Sequence, residues 1–478
     1  MPACMKNAPE NNVKNDVEAA DPRPESAVST MVGIAGLVGL FFWVMVARNF
    51  GAIAASIGIT PEMIGLMDMP ARADGPYSAL LAVGFCGLPM VLWSLFRDKV
   101  HKRPSTGIDW SQKTPVKDVL DDSIVKLAGL WFTWGIIASI YIIFRFWWTT
   151  QYANFPFSMQ MFEAAAIPLV IASIPYVIWI DRYLVNRRDG AWHLGAWIAG
   201  QNGWRSEQIF HHLRAWAVKG FFLAFMISIV PGGFQFVVNM DFAEVVQNPV
   251  WLANALISAM FLVDVQFATV GYLLTMKPLD AHIRTANPYM TGWVAALICY
   301  PPFILMGNGG PLDYHVATSD WAFWFAENTT LLYIWGTVLV ALTGFYAWAT
   351  VAFGLRFSNL THRGILTHGP YAYTKHPAYL SKNMYWWLAT MPFLATNGSM
   401  GDMLRNTAIL AAVSGVYYWR ARTEEKHLLG DPDYKEYAEW MDRNAKIPRF
   451  FKWLKGFAGN RLYGNLPKGD DGAVQPAE

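Results

Sequence analysis

Ten stretches of this chain are apolar for close to the length a helix needs to cross a bilayer, about 20 residues. No feature constrains the fold more. Lipid offers no partner for backbone N–H and C=O groups, so each crossing must be a helix or part of a closed barrel. A barrel would alternate apolar and polar residues over segments of about ten, and these runs do not alternate. The expected fold is therefore all-α: a polytopic integral membrane protein of about ten helices. The proposed spans are Met31–Phe50, Tyr77–Phe96, Leu127–Phe144, Phe162–Ile180, Ala215–Phe234, Trp251–Met276, Tyr289–Met306, Leu331–Gly354, Tyr379–Ala395 and Met403–Trp419. The last two are short, and Pro392 with Asn397-Gly398 between them predicts a tight helical hairpin. Composition agrees, with charged residues at 15% against about 25% in soluble domains.

Charge in the loops predicts orientation. The loop after the second stretch holds Arg97, Lys99, Lys102, Arg103, Lys113 and Lys117, and the loop after the fourth holds Arg182, Arg187, Arg188, Arg205 and Arg214. The alternate loops hold almost no cations. Cytoplasmic loops carry the excess of Lys and Arg, so both termini and the cation-rich face are expected in the cytoplasm. Residues 1–30 mix acids and bases without an apolar centre and read as a disordered tail, not a secretory signal. Residues 456–478 read as a second disordered tail. Between them, 31–355 form a multi-span membrane region and 356–455 a distinct C-terminal region. Net charge is +2, which gives no global attraction to nucleic acid. Three cysteines provide neither a disulfide framework nor a zinc spacing.

The chemistry concentrates at the start of the ninth stretch. In THGPYAYTKHPAYLSKN, Thr367 to Asn383, Gly369-Pro370 makes a turn and Pro377 suits the first turn of a helix. His376 then sits at the helix start, where N–H groups favour an anion. If the tenth helix continues beyond Trp419, it carries Arg420, Arg422, Glu424 and Glu425 back to the same face. Taken singly, these are ordinary positive-inside residues, a solvated helix face and a helix start.

Their order resembles the isoprenylcysteine carboxyl methyltransferase and phospholipid methyltransferase superfamily. The matching residues are Gly369-Pro370-Tyr371, Lys375-His376-Pro377-Ala378-Tyr379, Glu424-Glu425-Lys426-His427-Leu428, then Gly430 with Tyr434 and Tyr437. The likeness covers about a fifth of the chain, Arg356 to Phe451. It implies S-adenosylmethionine as cofactor, in a cradle of Arg363, Gly364, Ile365, Leu366, Tyr371, His376, Pro377, Ala378, Tyr379 and Glu424. It also implies Arg420 beside a lipid-like or prenylated acceptor. The family's usual Arg before His-Pro is Lys375 here, which loses the bidentate fork. Transfer to a carboxylate needs no base. Transfer to an amine would need a proton acceptor, with His376 or Glu425 as candidates.

Two rivals stand beside this reading. Sterol reductases of ten spans share the His-Pro-x-Tyr element and use NADPH. A transporter or scaffold could keep a decayed methyltransferase end, although the internal echo between Ile283 and Tyr373 is weak. Asp264 lies mid-span and is either a packing hydrogen bond or a substrate contact. Lys219 is expected to snorkel. His211 and His212 are adjacent and make a poor metal pair.

Overall fold

The computed structural model describes residues 22–60, 73–144 and 155–445. Among them are twelve helices of eight or more residues: α1 Thr30–Arg48, α2 Pro76–Leu92, α3 Val116–Phe144, α4 Phe155–Asp181, α5 Gly190–Ile198, α6 Ser206–Val238, α7 Pro249–Leu273, α8 Met290–Leu297, α9 Thr329–Phe353, α10 Pro377–Thr390, α11 Met400–Leu428 and α12 Pro432–Asn444. Polar residues start several of them. Asn248 accepts from the Val250 and Trp251 amides, with Pro249 in the first turn, and Asp431 does the same before Pro432.

Seven of these helices are long and apolar enough to cross a membrane: α1, α2 with its extension to Arg97, α3, α4, α6, α7, and α9 with its extension to Arg356. Their outer faces leave Val38, Phe42, Met45, Ile142, Ile167 and Ile171 exposed. Lipid tails suit such faces, and between helices in lipid the drive is close packing, not water exclusion. Glycines allow that closeness. A Cβ on Gly39 of α1 would lie 1.9 Å from the Phe85 carbonyl of α2, and one on Gly195 of α5 would lie 1.8 Å from the Val125 carbonyl of α3.

The remaining three expected spans depart from single apolar helices of full length. The stretch Tyr289–Met306 is helical only as α8, because Pro301-Pro302 cuts it short. α10 has fourteen residues and closes at Met391, which adopts a left-handed φ of 47° before Pro392. α11 has 29 residues, and its second half carries Arg420 to His427.

Helices α7 and α9 lie parallel. Gly336 faces Ala253, Gly344 faces Met260, and Gly271 faces the Phe357 carbonyl. The chain between them, 274–328, therefore has to return the length of the bundle, and it does so with α8 and irregular backbone. A buried core of Val32, Leu40, Met90, Phe234 and Phe267 joins α1, α2, α6 and α7 and reaches Leu366 and Tyr371. Away from that core, Lys126 pairs with Asp181 at 2.5 Å and Asp189 at 3.3 Å where α3, α4 and α5 meet.

Two expected boundaries change. Residues 22–29 are not a free tail: the Ala27 amide donates to the Ile365 carbonyl at 2.9 Å, and Thr367 donates to the Pro24 carbonyl at 2.7 Å. The region from 356 is not a separate unit. Arg356 pairs with the fully buried Asp280 at 2.6 Å, which also faces Arg103 at 3.6 Å and Arg284 at 3.7 Å. A two-residue antiparallel ladder, Thr285–Ala286 on Thr361–His362, closes the same junction. The expected tail 456–478 and residues 1–21 lie outside the described residues.

Candidate functional site

α10 and α11 run antiparallel. The Trp387 indole, near the end of α10, donates to Ser414, midway along α11, at 3.0 Å, which brings the start of α10 close to the end of α11. His376 precedes Pro377 at the helix start, and its ring turns to α11 instead of capping its own helix. Its Nε2 faces Glu425 Oε1 at 3.2 Å, and its Nδ1 lies 4.0 Å from Glu424 Oε2. One turn on, the Tyr379 hydroxyl donates to Glu424 at 2.9 Å. The His376 and Tyr379 rings stack at 5.7 Å.

His376, Tyr379 and Glu424 line an open cleft of about 1150 Å³, mouth included. Its walls come from the end of α9, the loop 357–366, Tyr371, the first half of α10, the second half of α11, and Tyr434 and Tyr437 of α12. Of the cradle expected from sequence, Arg363 to Leu366, Tyr371, His376 to Tyr379 and Glu424 all line it, as does Arg420. Glu424 is the one carboxylate on its described walls. Arg420 is buried, with its guanidinium 5.2 Å from the Tyr379 ring and 5.5 Å from the Tyr300 ring. It is oriented by donating to the Asn359 side chain, which the Tyr272 hydroxyl in turn holds at 2.9 Å.

Two expected residues take other parts. The Arg363 guanidinium donates to the carbonyls of Gly271 at 2.9 Å, Phe357 at 2.8 Å and Leu355 at 2.9 Å, and its Nε to Ala281 at 2.7 Å. Its five donors are committed to backbone, so only its main chain is free toward a ligand. Burial lowers its pKa to about 9. Gly364, beside it, has a φ of 103°, and a Cβ there would lie 2.2 Å from Arg356 Nη1. Glu425 lies behind the cleft wall. It pairs with Lys375 at 3.1 Å, Arg422 at 2.9 Å and His376 at 3.2 Å. Burial opposes its ionisation, but the His376 hydrogen bond and charge, with Lys375, prevail and bring its carboxyl down to about 2. A carboxylate held that low is a weak proton acceptor near neutral pH. It positions His376 and Lys375 instead.

Several lining residues escaped the sequence reading: Asn359, Tyr300, Tyr346 and Lys382. The polar run Phe357–Arg363 just past a span could have drawn attention to Asn359. Tyr300 was hidden by the assumption that its stretch is one helix. Asp264 accepts from Tyr346 at 2.8 Å and from Thr350 at 2.5 Å. Lys219 turns to Thr275 at 2.7 Å and the Trp216 ring. His211 faces the Arg284 carbonyl and His212 faces Thr133, so the two do not converge. No group of three or more metal-ligating side chains occurs among the described residues.

No family model, curated protein or solved structure matches the chain.

Proposed function

We propose that this chain is an integral membrane methyltransferase that carries a methyl group from S-adenosylmethionine to a lipid-like or prenylated acceptor. The supporting observation is one cleft shared by two segments that resemble the methyltransferase motifs, with Glu424 as its single described carboxylate. In this reading the ten apolar stretches all cross the membrane, α10 and α11 as the hairpin, and the cleft opens to the cytoplasm.

The residues fit the cofactor's chemistry. Glu424 would pair with its ammonium, and the start of α10 at His376-Pro377 would receive its carboxylate. The Tyr371 and Tyr379 rings would face adenine or sulfonium. The cofactor supplies an electrophilic methyl on a sulfonium. The chain's part is to hold the acceptor in line and exclude water, so rate comes mainly from positioning. A carboxylate acceptor needs no base. An amine acceptor would rely on His376, because Glu425 is already triply paired.

A second reading keeps one observation in its favour. The cleft walls carry Arg356, Arg363, Lys375, Lys382 and Arg420, which suits a phosphate-rich cofactor such as NADPH. Arg356, Arg363 and Lys375 are already committed to Asp280, to backbone carbonyls and to Glu425. That leaves two cations, too few to favour it over the first reading. Calorimetric titration of the detergent-purified protein with S-adenosylmethionine and, separately, NADPH tests both. Binding of the former that Glu424→Gln and His376→Ala weaken supports the methyltransferase. Binding of NADPH alone moves the chain to the reductases.

A further inference from the structure

We propose that Lys382 binds the head group of the acceptor, and that this head group is anionic. The proposal rests on the reading of the cleft as the meeting place of cofactor and acceptor.

Lys382 lies six residues past His376 on α10 and lines the cleft. Its ammonium sits among three aromatic rings: 5.2 Å from Trp386, 5.6 Å from Tyr346 of α9 and 5.8 Å from Tyr417 of α11. Trp386 is one turn deeper along α10. A lysine that snorkels sends its charge toward water; this one sends it inward. Among the described residues no carboxylate lies within 4 Å of it. Asp264, on the neighbouring α7, accepts from the hydroxyls of Tyr346 and Thr350 and attracts Lys382 only at longer range.

The cleft is therefore polarised. Glu424, His376 and Lys375 gather at its mouth, with Glu425 behind them. Its inner part holds Lys382 and Arg420, with aromatic rings around both and, among the described residues, no acid within 4 Å of either. A buried guanidinium and a half-buried ammonium among aromatic rings favour an anion beside them. Arg420 is fixed by Asn359 and faces the Tyr379 ring. Lys382 has three ring faces and the longer-range charge of Asp264, and neither gives its N–H groups a close anion. It is free to meet a carboxylate or phosphate carried in by an amphiphile. A cationic head group would be repelled by both cations, and a neutral one would leave the buried Arg420 without a close anion.

The test uses full-length protein in detergent and amphiphiles with farnesyl or hexadecyl tails, each ending in a carboxylate, a phosphate monoester or a primary amide. Calorimetry gives the preference for each anion over the amide. Wild type should prefer an anion, and Lys382→Met and Lys382→Gln should lose about 10- to 100-fold of that preference, while Lys382→Arg keeps most of it. Which anion is preferred separates carboxylate from phosphate acceptors. Unchanged melting of the variants guards against misfolding. An amide bound as tightly as both anions in wild type, or an anion preference untouched in both neutral variants, overturns the proposal. S-adenosylmethionine titrations run alongside. Anion preference that depends on Lys382 without cofactor binding would keep this assignment and reject the methyltransferase reading.

Discussion

Tyr379 and Glu424 stand on different helices, 45 positions apart, and the phenol donates to the carboxylate at 2.9 Å. The bond holds the one described acid of the cleft wall toward the open space. Glu424→Gln removes the charge that would pair with an ammonium, and should weaken S-adenosylmethionine binding by about 10- to 100-fold. Tyr379→Phe leaves the charge but frees its direction, and should cost roughly threefold to tenfold. Titration calorimetry reads both. Equal losses for the two, or none, would sink the assignment of Glu424 to a cation.

Glu425 makes stability depend on pH with a defined sign. Its folded carboxyl is held near 2, below an ordinary 4.5. The stabilisation is fully present above about pH 5 and is lost as pH falls through that window toward the folded value. After solvent screening, roughly 1 kcal/mol should be gone by about pH 3.5. Melting of wild type should therefore drop further between neutral and acid pH than melting of Glu425→Gln. Parallel curves would mean that the pairing with Lys375, His376 and Arg422 contributes nothing.

Arg363 should be a folding residue before it is a binding one. It bonds carbonyls of α7, of the loop at Ala281 and of its own loop. Arg363→Met should destabilise by about 3–5 kcal/mol, since it leaves those carbonyls buried without donors. Arg363→Lys should recover little, because one ammonium cannot replace the fork. Thermal melting in detergent measures both, and a lysine variant as stable as wild type would refute the clamp.

Gly364 permits the Arg356–Arg363 arrangement. Alanine there meets Arg356 and is strained at a φ of 103°, for an expected loss of about 2–5 kcal/mol. The same change at Gly84, whose Cβ direction is open, should be mild. Similar melting temperatures for the two variants would contradict the crowding.

Much of this was legible in the sequence for a simple reason: long apolar runs and helix starts are local signals. Runs such as Trp251–Met276 needed only length, and His376-Pro377 and Glu424-Glu425 needed only order. Tyr289–Met306 is not a single helix, because composition measures apolarity and the proline pair at 301–302 decides shape. Arg363 lines the cleft as expected, but its guanidinium turns to backbone. Its residue type says cation, but its carbonyl partners at Gly271 and Ala281 lie 92 and 82 positions away. Lys382 was invisible for the same reason, as two of its three rings belong to other helices.

The bonds between residues 22–29 and the loop 365–368 also bear on synthesis. Pro24 and Thr367 are 343 positions apart, so the early segment leaves the ribosome roughly 20–70 s before its partner exists. During that interval it is open to proteases and chaperones. The cleft is then among the last features of the molecule to close, and a bulky fusion near residue 22 would be felt there first.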